Sequence, residues 1–115
     1  MKLLRFLLSG LTALLFLLML PRAIQAADET AQIYKARCSA CHGVDGHAHT
    51  PMARKQNIPS FASATVQKKS IEELSDCILN GGKQRRASHT FATKGLSAQQ
   101  GASLAAYIRQ LGRRK

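Results

Sequence analysis

The stretch Cys38-Ser39-Ala40-Cys41-His42 is the most informative part of this chain. Its Cys-x-x-Cys-His spacing is typical of covalent haem attachment. Two thiols three residues apart at a helix end can add to the two vinyl groups of one porphyrin and form thioether bonds. The neighbouring His42 can then bind the iron from the proximal side. The motif therefore predicts one covalently attached haem c, held by Cys38, Cys41 and His42.

The segments on either side of the motif carry different patterns. A first helix is predicted to start at Asp28, whose carboxylate can cap free backbone N–H groups, and to carry the cysteines on its last turn. From Gly43 to Thr65 no apolar period is present, which predicts a long loop with one short turn at Met52 to Lys55. A loop of that length is expected to pack against another part of the domain or a bound group.

Two further helices are marked by their ends. Ser70 and Glu73 form one capping box, Ser97 and Gln100 form another, and Gly81-Gly82 ends the first of these helices. Each helix carries an apolar stripe, formed by Ile71, Leu74 and Ile78 in one and by Leu104, Tyr107, Ile108 and Leu111 in the other. Small residues in the last helix would let another helix approach closely: Gly101, Ala102, Ala105 and Ala106. With no strand pattern present, the sequence predicts a small all-α domain.

The N-terminal segment has the layout of a secretory signal peptide. Two basic residues precede an apolar run from Phe6 to Leu20, and small residues follow, which favours cleavage after Ala26. The prediction is a signal peptide over residues 1–26 and one domain over residues 27–115, exported to a bacterial-type periplasm. The alternative is an uncleaved membrane anchor through residues 3–20, because this run approaches the length that spans a bilayer.

Other uses of the cysteine pair fit the sequence less well than haem does. Cys38 and Cys41 could form a disulfide in an oxidising compartment or a thioredoxin-like redox pair, but no βαβ unit accompanies them. A zinc site would need two more ligands from His47, His49 or His89, and no second pair has the spacing of a zinc finger. Haem is favoured because the motif, the export signal and the helical class agree.

The chain resembles a class I c-type cytochrome over the whole of its mature segment. The resemblance is carried by Tyr34 ahead of the haem motif, Gly43 behind it, Asp45-Gly46, the helix end at Gly81-Gly82, and Ala106-Tyr107-Ile108 in the last helix. It implies that about three to four helices and a loop wrap one haem, with the N- and C-terminal helices crossing. It also implies one-electron transfer without chemistry on a substrate, so that the protein is not an enzyme.

The sequence departs from that family at the second axial ligand. The family usually supplies a Met from the loop before the last helix, and residues 82–97 contain no Met. The strong iron ligand in this loop is His89, which predicts a bis-His pair with His42 and a lower reduction potential than in Met-ligated relatives.

Several alternatives for the sixth ligand stay open on sequence alone. Met52 is the one Met of the mature chain, but it lies early, beside Pro51. His47 and His49 follow the motif so closely that reaching the opposite haem face would require a very tight wrap. An open sixth position would allow small ligands to bind, which makes a haem-based ligand-binding or sensing module the alternative function. A catalytic haem protein ranks last, because no acid and base residues form a recognisable arrangement.

The charge balance points to acidic partners. Of the 17 Lys and Arg residues, 14 remain after the predicted cleavage, against 6 acidic residues. Export and the lack of an aromatic-rich basic stripe argue against nucleic acid. The expected partners are redox proteins, such as a dehydrogenase or an oxidase, with acidic docking surfaces. The residues expected to steer them are Arg54, Lys55, Arg85, Arg86 and Lys94. The third cysteine, Cys77, is predicted to be buried as a small apolar residue.

Overall fold

A computed structural model describes Met1 and residues 21–114, and within these residues the chain forms helices and no strand. The predicted all-α class is confirmed. Most of the predicted signal peptide, residues 2–20, lies outside the described residues. Among the helices that are described, none is long and apolar enough to cross a membrane. The helices are α1 (Pro21–Arg37), α2 (Ser39–His42), α3 (Pro51–Gln56), α4 (Ala64–Gln67), α5 (Ile71–Asn80) and α6 (Ala98–Leu111), with 3₁₀ turns at Gly82–Gln84 and Ala87–His89.

The first helix differs from the sequence prediction at its N-terminal side. α1 already covers the residues ahead of Asp28, so Asp28 lies inside the helix and does not cap it. Its carboxylate instead accepts a hydrogen bond from the Gln32 side chain, one turn later, at 3.0 Å. The residues ahead of Asp28 include several alanines, the strongest helix former, which explains why helix is favoured there.

The predicted starts of the two longer helices after the loop are confirmed. The Ser70 hydroxyl accepts from the Glu73 N–H at 3.1 Å, and the Glu73 carboxylate accepts from the Ser70 N–H at 2.9 Å. Ser97 and Gln100 make the same reciprocal pair at the start of α6. Gly81 ends α5 with a φ of +85°, a conformation that glycine adopts without the steric cost of a Cβ.

The long loop is organised by two short helices. α3 confirms the predicted turn, and Thr50 caps it by accepting from the Ala53 N–H at 3.0 Å. α4 was not predicted, since it is only four residues long and Ser63 ahead of it makes no side-chain cap. Both helices give a polar segment internal backbone hydrogen bonds, so the loop can fold against the rest of the domain.

The core lies where α1, α5 and α6 meet. A Cβ built on Gly101 would lie 2.6 Å from Leu79, so glycine is what allows α5 and α6 to approach, as the small residues predicted. The terminal helices α1 and α6 contact each other through Tyr34 and Tyr107, whose ring centroids are 5.3 Å apart. The buried apolar cluster consists of Tyr34, Phe61, Val66, Leu74, Leu96, Leu104, Ala105, Ile108 and Leu111.

Candidate functional site

The Cys-x-x-Cys-His motif forms a short helix of its own. α1 ends at Arg37, Cys38 has a φ of −119° that departs from helical geometry, and α2 follows. The backbone N–H groups of Cys41 and His42 both donate to the Cys38 carbonyl, at 3.2 and 3.0 Å. The Cys38 N–H still donates to the Tyr34 carbonyl at 2.9 Å, so Cys38 closes the last turn of α1. The prediction that both cysteines lie on this turn is wrong for Cys41, which lies on the separate turn α2.

Two hydroxyl groups fix the end of this turn. The Tyr34 hydroxyl donates to the Gly43 carbonyl at 2.6 Å, and the Thr50 hydroxyl donates to the Cys41 carbonyl at 2.6 Å. Burial raises the pKa of Tyr34, so its hydroxyl remains protonated and available as a donor. Because Thr50 also caps α3, one side chain connects the motif to the wrapping loop.

The two motif cysteines form no disulfide, and both are half-buried. Burial raises the pKa of the Cys38 thiol to about 11. Redox-active pairs such as thioredoxin instead lower the thiol pKa, so this environment argues against a redox pair. Within residues 21–114, no group of three or more His, Cys, Asp and Glu side chains is placed to hold a metal ion.

The His42 imidazole is held neutral against the core. Phe61 stacks on it with a centroid distance of 4.7 Å. Burial lowers the pKa of His42 to about 4, and the nearby His89 and Arg86 contribute in the same direction. Its Nδ1 is buried and has no hydrogen-bond partner among the described residues. Because Nδ1 is buried, we expect a ligand to bind through Nε2. A neutral imidazole is the form that coordinates iron.

His89 faces His42 from the 3₁₀ turn between α5 and α6. The two ring centroids are 5.9 Å apart, and the ring planes differ by only 16°. The Nδ1 of His89 lies 3.8 Å from the Cys77 sulfur, again leaving Nε2 for a ligand. The two histidines that the sequence predicted as a pair thus lie close to each other, beside the haem motif.

The other candidate ligands lie elsewhere. Met52 is 39% exposed on α3, and its sulfur accepts a hydrogen bond from the Gln56 amide at 3.0 Å. His47 lies 3.3 Å from the Ser60 hydroxyl through Nδ1, and its ring is 6.2 Å from that of His49.

The position of the Phe61 ring depends on the absence of a side chain at Gly46. A Cβ on Gly46 would lie 2.5 Å from this ring, and the φ of Gly46 is +75°. Gly95 has a similar φ of +90° but open space around it. Alanine costs about 1–2 kcal/mol at either position because of the left-handed backbone. At Gly46 it should also push Phe61 away from His42, at a further cost of about 1–3 kcal/mol.

Denaturant unfolding of the haem-loaded variants measures this difference. Gly46→Ala should lower the free energy of unfolding by more than Gly95→Ala does. Equal losses in the two variants would show that Gly46 serves only the backbone turn and does not set the position of Phe61.

The family model for cytochrome c matches residues 27–112, about three quarters of the chain. This chain belongs to the cytochrome c family. No curated protein and no solved structure matches it. Cytochromes c bind haem c covalently, with its iron, and serve in haem-based electron transfer; the family is typically an electron carrier rather than an enzyme.

The residues of this cytochrome fit such a haem. Cys38 and Cys41 are three residues apart and form no disulfide, and the His42 and His89 rings lie 5.9 Å apart with nearly parallel planes. Sequence reasoning missed the stacking of Phe61 on His42 and the contact of Cys77 with His89. Neither leaves a signal in the local pattern, since each joins segments separated by 12 or more positions. The Thr50 cap did have a signal, since Thr followed by Pro is a common helix start.

Proposed function

We propose that this cytochrome carries one electron at a time with bis-His axial ligation by His42 and His89. The observation that supports the proposal is the facing pair of imidazoles, 5.9 Å apart and nearly parallel. Both rings are kept neutral, because burial lowers the pKa of each and the positive charge of Arg86 adds to the effect.

Each residue of the site has a separate task in this function. The bound haem would supply an iron that alternates between two oxidation states. Cys38 and Cys41 would hold the porphyrin covalently, and Phe61 keeps the His42 ring in place. A Met thioether as the second ligand raises the reduction potential of a haem. With His89 in its place, the potential is expected to be lower than in Met-ligated relatives. No acid–base chemistry on a substrate is required, and the protein works as a carrier, not an enzyme.

The proposed location and partners follow from the ends and the surface of the chain. The N-terminal layout supports export to the periplasm.

The five basic residues expected to steer partners are exposed: Arg54, Lys55, Arg85, Arg86 and Lys94. Lys94 lies 4.8 Å above the Phe91 ring, on the side of the domain that carries His89. We expect these charges to attract an acidic redox protein, in which case electron-transfer rates fall steeply as the salt concentration is raised. A rate that does not depend on salt would contradict this docking proposal.

A second candidate function is reversible binding of a small ligand to the iron. It is favoured by the position of His89 on a three-residue 3₁₀ turn, and by the 3.8 Å contact of its Nδ1 with a thiol, which is a weak hydrogen-bonding group. A ligand held in this way can be displaced more readily than one on a long helix.

Spectroscopy of the purified, haem-loaded protein tests the proposed function. The ferric protein should be low-spin and lack the near-infrared charge-transfer band of Met–iron ligation, and a potentiometric titration should follow a one-electron curve. A Met–iron band would reject His89 as the ligand. A high-spin ferric spectrum would favour an open sixth position and the ligand-binding function.

A further inference from the structure

Cys77 is the cysteine that the haem motif does not use, and it lies beside the proposed distal ligand. Its side chain is half-buried on α5, and its sulfur is 3.8 Å from Nδ1 of His89. The Gly81-Gly82 turn folds back over it, since a Cβ on Gly82 would lie 3.5 Å from the Cβ of Cys77. The helix and the turn together fix where this sulfur sits.

The position of the proton on the His89 ring determines whether its contact with Cys77 is a hydrogen bond. When a neutral imidazole binds a metal through Nε2, its proton is on Nδ1, and the group bonded to that N–H fixes the tautomer and the ring orientation. In this structure the atom that faces Nδ1 is the Cys77 sulfur. A thiol sulfur is a weak hydrogen-bond acceptor.

We propose that Cys77 is the positioning residue for His89, accepting a hydrogen bond from its Nδ1–H and holding the ring so that Nε2 faces His42. The inference rests on the proposed bis-His ligation. Partners of metal-bound histidines are usually carboxylates, backbone carbonyls or water, all stronger acceptors than a thiol. The thiol therefore orients the ring but makes the imidazole a weaker electron donor than a carboxylate or carbonyl partner would. With the weaker partner, His89 is also easier to displace from the iron.

Two variants of the haem-loaded protein separate hydrogen bonding from packing. Cys77→Val keeps an apolar side chain of at least the original size but removes the acceptor, whereas Cys77→Ser keeps an acceptor but reduces the volume. Ser75→Ala, on the same helix, is the matched control. The readouts are the rate at which carbon monoxide binds the ferrous protein, which requires His89 to leave the iron, and the reduction potential.

The order of the two variants decides the outcome. Cys77→Val should bind carbon monoxide about tenfold faster than the unmodified protein, within the range seen when such partners are removed. The reduction potential of Cys77→Val should also rise, because the His89 imidazole loses its hydrogen-bond acceptor. Cys77→Ser should stay closer to the unmodified protein in both the binding rate and the potential. The reverse order would show that Cys77 only fills space, and unchanged values in both variants would show that it has no role.

A third variant separates this inference from the function on which it rests. If His89→Ala changes the ferric spectrum while both Cys77 variants behave like Ser75→Ala, the ligation stands and the role of Cys77 is rejected. If His89→Ala leaves the spectrum unchanged, His89 is not a ligand, and both proposals are overturned.

Discussion

Replacement of Cys38 and Cys41 together by alanine is expected to abolish covalent haem and to leave a chain with little stable tertiary structure. The domain is small, and a chain of this size buries only a little over about 60% of the surface that it exposes when unfolded. Tyr34 and Phe61, two of the largest core side chains, pack directly beside the motif. A ligand present at about a thousand times its dissociation constant stabilises the folded state by about 4 kcal/mol. Loss of a comparable contribution from the haem would remove a large part of the free energy of unfolding of a domain of this size.

A denaturing gel with haem staining and a circular dichroism spectrum measure the two effects. The double variant should show no haem-stained band and a much weaker helical signal. Cys77→Ser is the matched control, because it removes a thiol outside the motif and should keep both. A covalent haem band in the double variant would contradict the attachment site, and a fully helical, cooperatively unfolding double variant would contradict the structural role of the haem.

The parts of the fold that the sequence predicted are those fixed by local chemistry. Ser70 and Ser97 each have a partner three residues later, and Gly81 supplies a left-handed helix end, so these signals are complete within one turn. The haem motif is likewise contained in residues 38–42. Such features depend little on the rest of the chain, which is why they were found at the right positions.

The parts that were missed depend on contacts between distant segments or on small backbone changes. The break at Cys38 is a change in one φ angle, which no residue pattern marks. The stacking of Phe61 on His42 requires the loop to return to the motif, where the Phe61 N–H donates to the Gly46 carbonyl at 2.8 Å. The pairing of His89 with His42 was predicted only through the resemblance to the family, since 47 positions separate the two residues.

The positive charge of Arg86 bears on the reduction potential of the proposed bis-His site. Arg86 contributes to lowering the pKa of both His42 and His89, so its positive charge is felt at the site between them. A positive charge there disfavours the ferric state, which carries one more positive charge than the ferrous state. In the proposed bis-His site, the second imidazole would lower the reduction potential and Arg86 would raise it. The potential of this protein is therefore expected to lie above that of a bis-His site without such a charge.

Replacement of His89 by alanine is expected to have the largest effect on the iron itself. The ferric haem should change from low-spin to high-spin as the sixth ligand is lost. If His89 leaves the iron for about 1% of the time in the unmodified protein, carbon monoxide should bind the ferrous variant about 100-fold faster. Since His89 lies half-buried on a 3₁₀ turn and outside the buried core cluster, the helical fold should persist, which circular dichroism can check.

Two further variants make this result specific to His89. His47→Ala removes a histidine whose Nδ1 contacts Ser60, and should leave the spectrum and the binding rate unchanged. His89→Met should restore a six-coordinate haem, with the near-infrared Met–iron band and a higher reduction potential, because a thioether raises the potential relative to imidazole. A His89→Ala protein that stays low-spin would assign the sixth position to another side chain. Met52 would then be the first residue to replace, and its 39% exposure on α3 means that the loop would have to move for its sulfur to reach the iron.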